Sequence, residues 1–123
     1  MTRMLAVSVM VAVWVGVVGV GSALAKGGRL DGQVYEAAAL EDTLTFEHGW
    51  FNTAKSAAAG YAAATYQASP WAGGVGFRAR LTNAAGERME WRGLIKGGSL
   101  DGEVSRVEGG RRVKTAFIGT LAR

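Results

Sequence analysis

His48 is the only histidine in a 123-residue chain that has no cysteine. A catalytic base or a metal ligand needs partners. His48 sits between Glu47 and Gly49 in a stretch that reads as a tight turn, so an exposed turn residue is the expectation. Without a second histidine or any thiolate, a zinc site lacks its usual donors. Carboxylates can do acid–base work in pairs, as in glycoside hydrolysis. Asp31 and Asp101 hold equivalent places in two similar phrases, KGGRLDGQV (26–34) and KGGSLDGEV (96–104). Strand alternation turns both outward, one residue before a glycine, so Asp-Gly chemistry at a strand bend accounts for them better than catalysis. Ser56 follows Lys55, but no Ser-x-x-Lys or Gly-x-Ser-x-Gly frame surrounds it. GGVGF (73–77) resembles a phosphate loop only in composition, because no helix follows to present its N-terminus. This inventory predicts a protein that is not an enzyme, with no metal and no cofactor.

Binding chemistry is better represented. Residues 26–75 carry a net charge of −2 and residues 76–123 a net charge of +5. Such asymmetry marks a surface for an anionic partner. Arg106, Arg111, Arg112 and Lys114 form the densest cationic group and are the candidate anion patch. The aromatic residues suggest a second kind of site. Phe77, Met89, Trp91 and Phe117 fall on apolar strand faces and could line an interior pocket. Trp50, Tyr61 and Trp71 fall at turns or loop edges, where they would rim a cavity mouth or seal the ends of a barrel.

Elements must position these groups, and the first 25 residues are not among them. A short positive start, an apolar run from Met4 to Val20 and the ending Ala23-Leu24-Ala25 read as a cleaved signal peptide. An uncleaved anchor is the alternative, since the run is nearly long enough to span a bilayer. Residues 26–123 then make one small domain, exported to the periplasm or the medium. Nucleic acid is not an expected partner there. Lacking disulfides, the domain must be held by core packing and sheet closure.

The rest of the chain is a series of short alternating runs separated by turns. LDGQVYEA begins a strand with Leu30, Gly32 and Val34 on one face. Residues 42–53 form a hairpin about His48-Gly49. ATYQA makes a fourth strand, closed by Ser69-Pro70. VGFRARLT, RMEWRGLIK, SLDGEVSRV and VKTAFIGTLA complete the set. Eight strands at intervals of roughly 10–12 residues predict an all-β, antiparallel up-and-down meander that closes into a barrel. The alanine-rich segment 54–64 reads as a loop with one helical turn lying across one end.

Within these strands an apolar-x-Gly-x-apolar pattern occurs four times, at Gly32, Gly93, Gly102 and Gly119. In each, alternation places the glycine on the inward face, where it is unfavourable without a reason. It permits a bend under an aromatic cover, or it leaves room for a ligand. LDGQVYE, EDTLTFEHGWFNT, MEWRGLIKG, LDGEV and FIGTLA resemble a group of small exported bacterial proteins of uncharacterised function. That resemblance implies an eight-stranded lipocalin-like (calycin-type) barrel and no activity.

Two functional expectations follow. One is binding of a small apolar or amphipathic molecule inside the barrel, with Trp91, Phe77, Met89 and Phe117 as lining, space at Gly93 and Gly119, and Trp50 and Tyr61 at the rim. The other is a non-enzymatic structural or interaction module of the cell envelope, with a filled barrel and a basic C-terminal hairpin contacting an anionic component.

Overall fold

The computed structural model describes residues 29–123. The signal-peptide expectation for residues 1–25 lies outside the described residues. Eight strands follow one another in a closed antiparallel meander: β1 (Val34–Ala37), β2 (Asp42–Glu47), β3 (Trp50–Thr53), β4 (Ala64–Trp71), β5 (Gly74–Thr82), β6 (Arg88–Lys96), β7 (Ser99–Glu108) and β8 (Arg111–Leu121). Closure is made by β1 against β8, through Tyr35 opposite Leu121 and Glu36 opposite Thr120. These two pairs join the first and last strands at one end, while β8 before Thr120 has β7 as its one strand partner.

Alternation places Phe77, Ala79 and Leu81 of β5 inward, and Met89, Trp91 and Ile95 of β6 with them; all six are buried. The interior is filled mainly by rings. Phe46 lies 5.0 Å, centroid to centroid, from each of Phe51, Tyr66 and Phe77. Phe51 continues the chain to Trp91 at 5.7 Å, and Trp91 to Phe117 at 5.5 Å. Tilted and edge-to-face contacts of this kind each add about 0.5–1.5 kcal/mol beyond their buried area.

Three of the four patterned glycines lie in strands, and side chains occupy the space opposite them. Gly93 faces Gly102 across β6 and β7, and Gly102 faces Phe117 across β7 and β8. A Cβ at Gly102 would lie 2.5 Å from Phe117 Cζ and 2.8 Å from Leu100 Cδ2, and one at Gly93 would lie 3.1 Å from the same Leu100 atom. The glycines therefore let Phe117 and Leu100 reach across the interior.

The fourth glycine is different. Residues 29–32 form a turn and not a strand, β1 begins only at Val34, and Gly32 has φ +88°. The expectation of an inward strand glycine at Gly32 is thus corrected. Apolar spacing there reflects a plug: Leu30 is buried in the core cluster at the mouth that carries the β2–β3 and β4–β5 turns. Its N–H donates to Tyr66 Oη (3.0 Å), Tyr66 Oη donates to Asp31 Oδ1 (2.7 Å), and the Gly49 N–H donates to the same carboxylate oxygen (2.8 Å). Asp31 is accordingly a structural acceptor, unlike Asp101, which sits on an exposed strand position.

The opposite mouth is covered by α1 (Ala54–Ala58), the short helix expected in the alanine run. Thr53 caps it by accepting from the Ser56 N–H (3.0 Å), and buried Ser56 donates through Oγ to Met89 Sδ (3.5 Å). A second correction concerns β4, which runs through Ser69 and Pro70 to Trp71 rather than ending before them. β3 pairs with β4 only at Trp50–Thr65 and Phe51–Ala64, so beyond Tyr66 the strand has β5 as its one partner. On such a free edge a proline loses no ladder bond.

Candidate functional site

On the outer surface, register brings together side chains far apart in sequence. Gln67 on β4 faces Arg78 on β5, which faces Arg92 on β6, which faces Glu103 on β7. One outward step away, Arg80 faces Glu90, Glu90 faces Ser105, and Ser105 faces Lys114 on β8. These residues, with Thr65 and Arg112, line a groove of about 620 Å³. Five cations and two carboxylates stand on its walls.

Electrostatics within the groove are uneven. Arg92 closes on Glu103, through Nη2 at 3.0 Å and Nε at 3.2 Å to the same oxygen, and Arg80 Nη2 lies 3.3 Å from Glu90 Oε2. Arg112 Nη1 donates to Ser105 Oγ at 2.7 Å. Among the described residues, Arg78, Arg112 and Lys114 have no carboxylate partner. Arg78 stands directly opposite Arg92, a like-charge arrangement that costs a paired sheet some stability, of order 0.2–1 kcal/mol. Three cations without a carboxylate partner leave the groove with an excess of positive charge.

The four residues of the expected anion patch are divided by alternation. Arg112 and Lys114 point into the groove. Arg106 faces Met89 and Val113, on the other side of the sheet, where its Nε pairs with Glu108, and Arg111 faces Glu108 from β8. The residues missed were Arg78, Arg80 and Arg92. Their own strands were legible, but only the register between five strands shows that they share a surface with Arg112 and Lys114.

Among the expected interior residues, Trp91, Phe77, Met89 and Phe117 are buried and packed together, with Gly93 and Gly119 beside them. Trp91 Nε1 is buried with no hydrogen-bond partner. Trp50 lies on the outer face of β3, half exposed, and Tyr61 packs against the core at the helix-covered mouth. The structure therefore does not gather Trp50 and Tyr61 around one opening. His48 is exposed in the β2–β3 turn, with its Nε2 4.0 Å from Glu47 Oε2. Among the described residues, no three of His, Cys, Asp or Glu converge as a metal site would require.

The geometry defines a closed β-barrel with an occupied core and a cation-rich outer groove. Comparison with protein-family models, with curated proteins and with solved structures yields no match to this chain.

Proposed function

We propose that the protein is an exported, non-enzymatic binding module, similar in architecture to lipocalin-like barrels, whose groove across β4–β8 holds an anionic partner of the cell envelope. The observation that carries this reading is the set of three groove cations, Arg78, Arg112 and Lys114, left without carboxylate partners while Arg80 and Arg92 are paired. A filled interior supports it. An apolar ligand in the barrel would have to move Phe117 off Gly102 and separate rings that touch.

Titration calorimetry with dextran sulfate and with uncharged dextran tests the proposal. Dextran sulfate binds, its affinity falls as salt rises, and uncharged dextran does not bind. Arg78→Ser, Arg112→Ser and Lys114→Ser combined weaken binding by about tenfold or more, at about 1.4 kcal/mol per tenfold. These positions are exposed or half-exposed, so the melting temperature stays within a few degrees. Equal binding by the triple variant overturns the proposal.

A further inference from the structure

Gly93, Gly102 and Gly119 serve the barrel core, whereas Gly76 lies under an exposed ring. Its φ is not in the left-handed region, and a Cβ there would meet nothing closer than Trp71 Cβ and Cε3, both at 3.6 Å. Glycine inside a strand is unfavourable, and here the group that approaches the bare backbone closely is the Trp71 side chain. Gly76 points outward, two residues before Arg78 on the same face, and Trp71 lies over it. Trp71 is 64% exposed, the most exposed large apolar side chain among the described residues. It stands at the tip of the β4–β5 hairpin, on the part of β4 that overshoots β3.

A bare backbone beside an exposed indole makes a flat apolar platform. Same-face positions in a strand are about 6.6 Å apart, so the platform lies one step from Arg78. That step is close to the span of one sugar ring. The indole face is electron-rich, and the axial C–H groups of a pyranose are its natural complement. The groove beyond carries carboxylates, Glu90 and Glu103, as well as cations. Carboxylates accept hydrogen bonds from hydroxyl groups, whereas they repel a phosphodiester backbone, which offers acceptors only. A ligand with hydroxyl donors, an apolar ring face and an acid group meets all three features.

We propose that the groove binds an acidic oligosaccharide, with one sugar ring stacked on Trp71 over Gly76 and its acid group against Arg78. This rests on the anion-binding reading above and narrows it to one class of ligand. The test compares a galacturonic acid hexamer, a polyphosphate of matched charge and a single-stranded oligonucleotide, by calorimetry and tryptophan fluorescence. The hexamer binds best and changes the fluorescence. Trp71→Ala lowers its affinity about tenfold and leaves polyphosphate binding unchanged. Gly76→Val, which fills the platform from a strand-compatible position, does the same, so a single misfolded variant cannot decide the outcome. Equal binding of hexamer and polyphosphate, both indifferent to Trp71, overturns the sugar assignment and leaves the anion groove standing. Tightest binding by the oligonucleotide overturns the sugar assignment as well. No binding of any of the three overturns both.

Discussion

Gly102→Ala asks whether the barrel interior is filled or open. A methyl group built there would lie 2.5 Å from Phe117 Cζ and 2.8 Å from Leu100 Cδ2, well inside contact distance. Phe117 cannot simply retreat, because it is buried in the core cluster with Trp91 packed against it at 5.5 Å. Overpacking of this kind costs about 1–3 kcal/mol. Against it stands the gain from a less flexible unfolded chain, about 0.4–1 kcal/mol. The net expectation is a loss of about 1–2 kcal/mol. For a domain of this size that lowers the melting temperature by roughly 4–16 °C. Gly76→Ala is the control: its nearest neighbours are at 3.6 Å, so the unfolded-chain gain acts alone and stability rises slightly. Thermal melts by circular dichroism read both. Adding Phe117→Leu to Gly102→Ala removes the overlap, and a double-mutant cycle should return a favourable coupling of about 0.5–3 kcal/mol. If Gly102→Ala is as stable as the parent chain, Phe117 is not held against the glycine. The interior then has room, and a ligand inside the barrel becomes the better account of function.

Two further expectations concern the plug and the N-terminus. Burial, reinforced by the hydrogen bond to Asp31, raises the pKa of the Tyr66 phenol far above its ordinary value of 10.0. Above about pH 10 the unfolded chain loses that proton while the folded chain keeps it, so stability falls as pH rises, by up to about 1.4 kcal/mol per pH unit. Below pH 10 the contribution is complete. Urea melts between pH 8 and pH 11 should show this alkaline slope, and Tyr66→Phe should flatten it, with Tyr35, also raised by burial, supplying what remains; an unchanged slope would mean that the Tyr66–Asp31 contact does not hold. On the signal-peptide reading, mass spectrometry of protein recovered from its own host should find Lys26 as the first residue, and an intact Met1 would rule out cleavage after Ala25.

Strand periodicity made the barrel legible in the sequence, most clearly from β5 to β8, where each alternation is long enough to be unambiguous. Where it failed, local chemistry imitated the same pattern. Leu30-x-Gly32-x-Val34 has strand spacing, but Leu30 is buried by a turn and Gly32 takes a left-handed φ. Ser69-Pro70 reads as a stop, yet β4 has no partner on one side there and tolerates proline. The groove was only half visible. Alternation within β8 gives Arg112 and Lys114 one face, but no single strand shows that Arg78 will stand opposite Arg92, because that depends on register across a turn.

Register also separates what serves the fold from what does not. Gly93, Gly102 and Gly119, the ring cluster from Phe46 to Phe117, the Leu30 plug and the Thr53 cap all have packing or hydrogen-bonding reasons. Together they let a small domain without disulfides close its sheet and both mouths. Three features outside the barrel do not serve the core: Arg78 against Arg92, Gly76 covered by Trp71, and Trp71 itself left largely in solvent. Each is mildly unfavourable alone, by repulsion, by backbone entropy or by exposed apolar area. All three fall on adjacent same-face positions of one hairpin and its neighbour. Unrelated surface irregularities have no cause to cluster there. A ligand held between Trp71 and Arg78, as proposed, would offset all three at once.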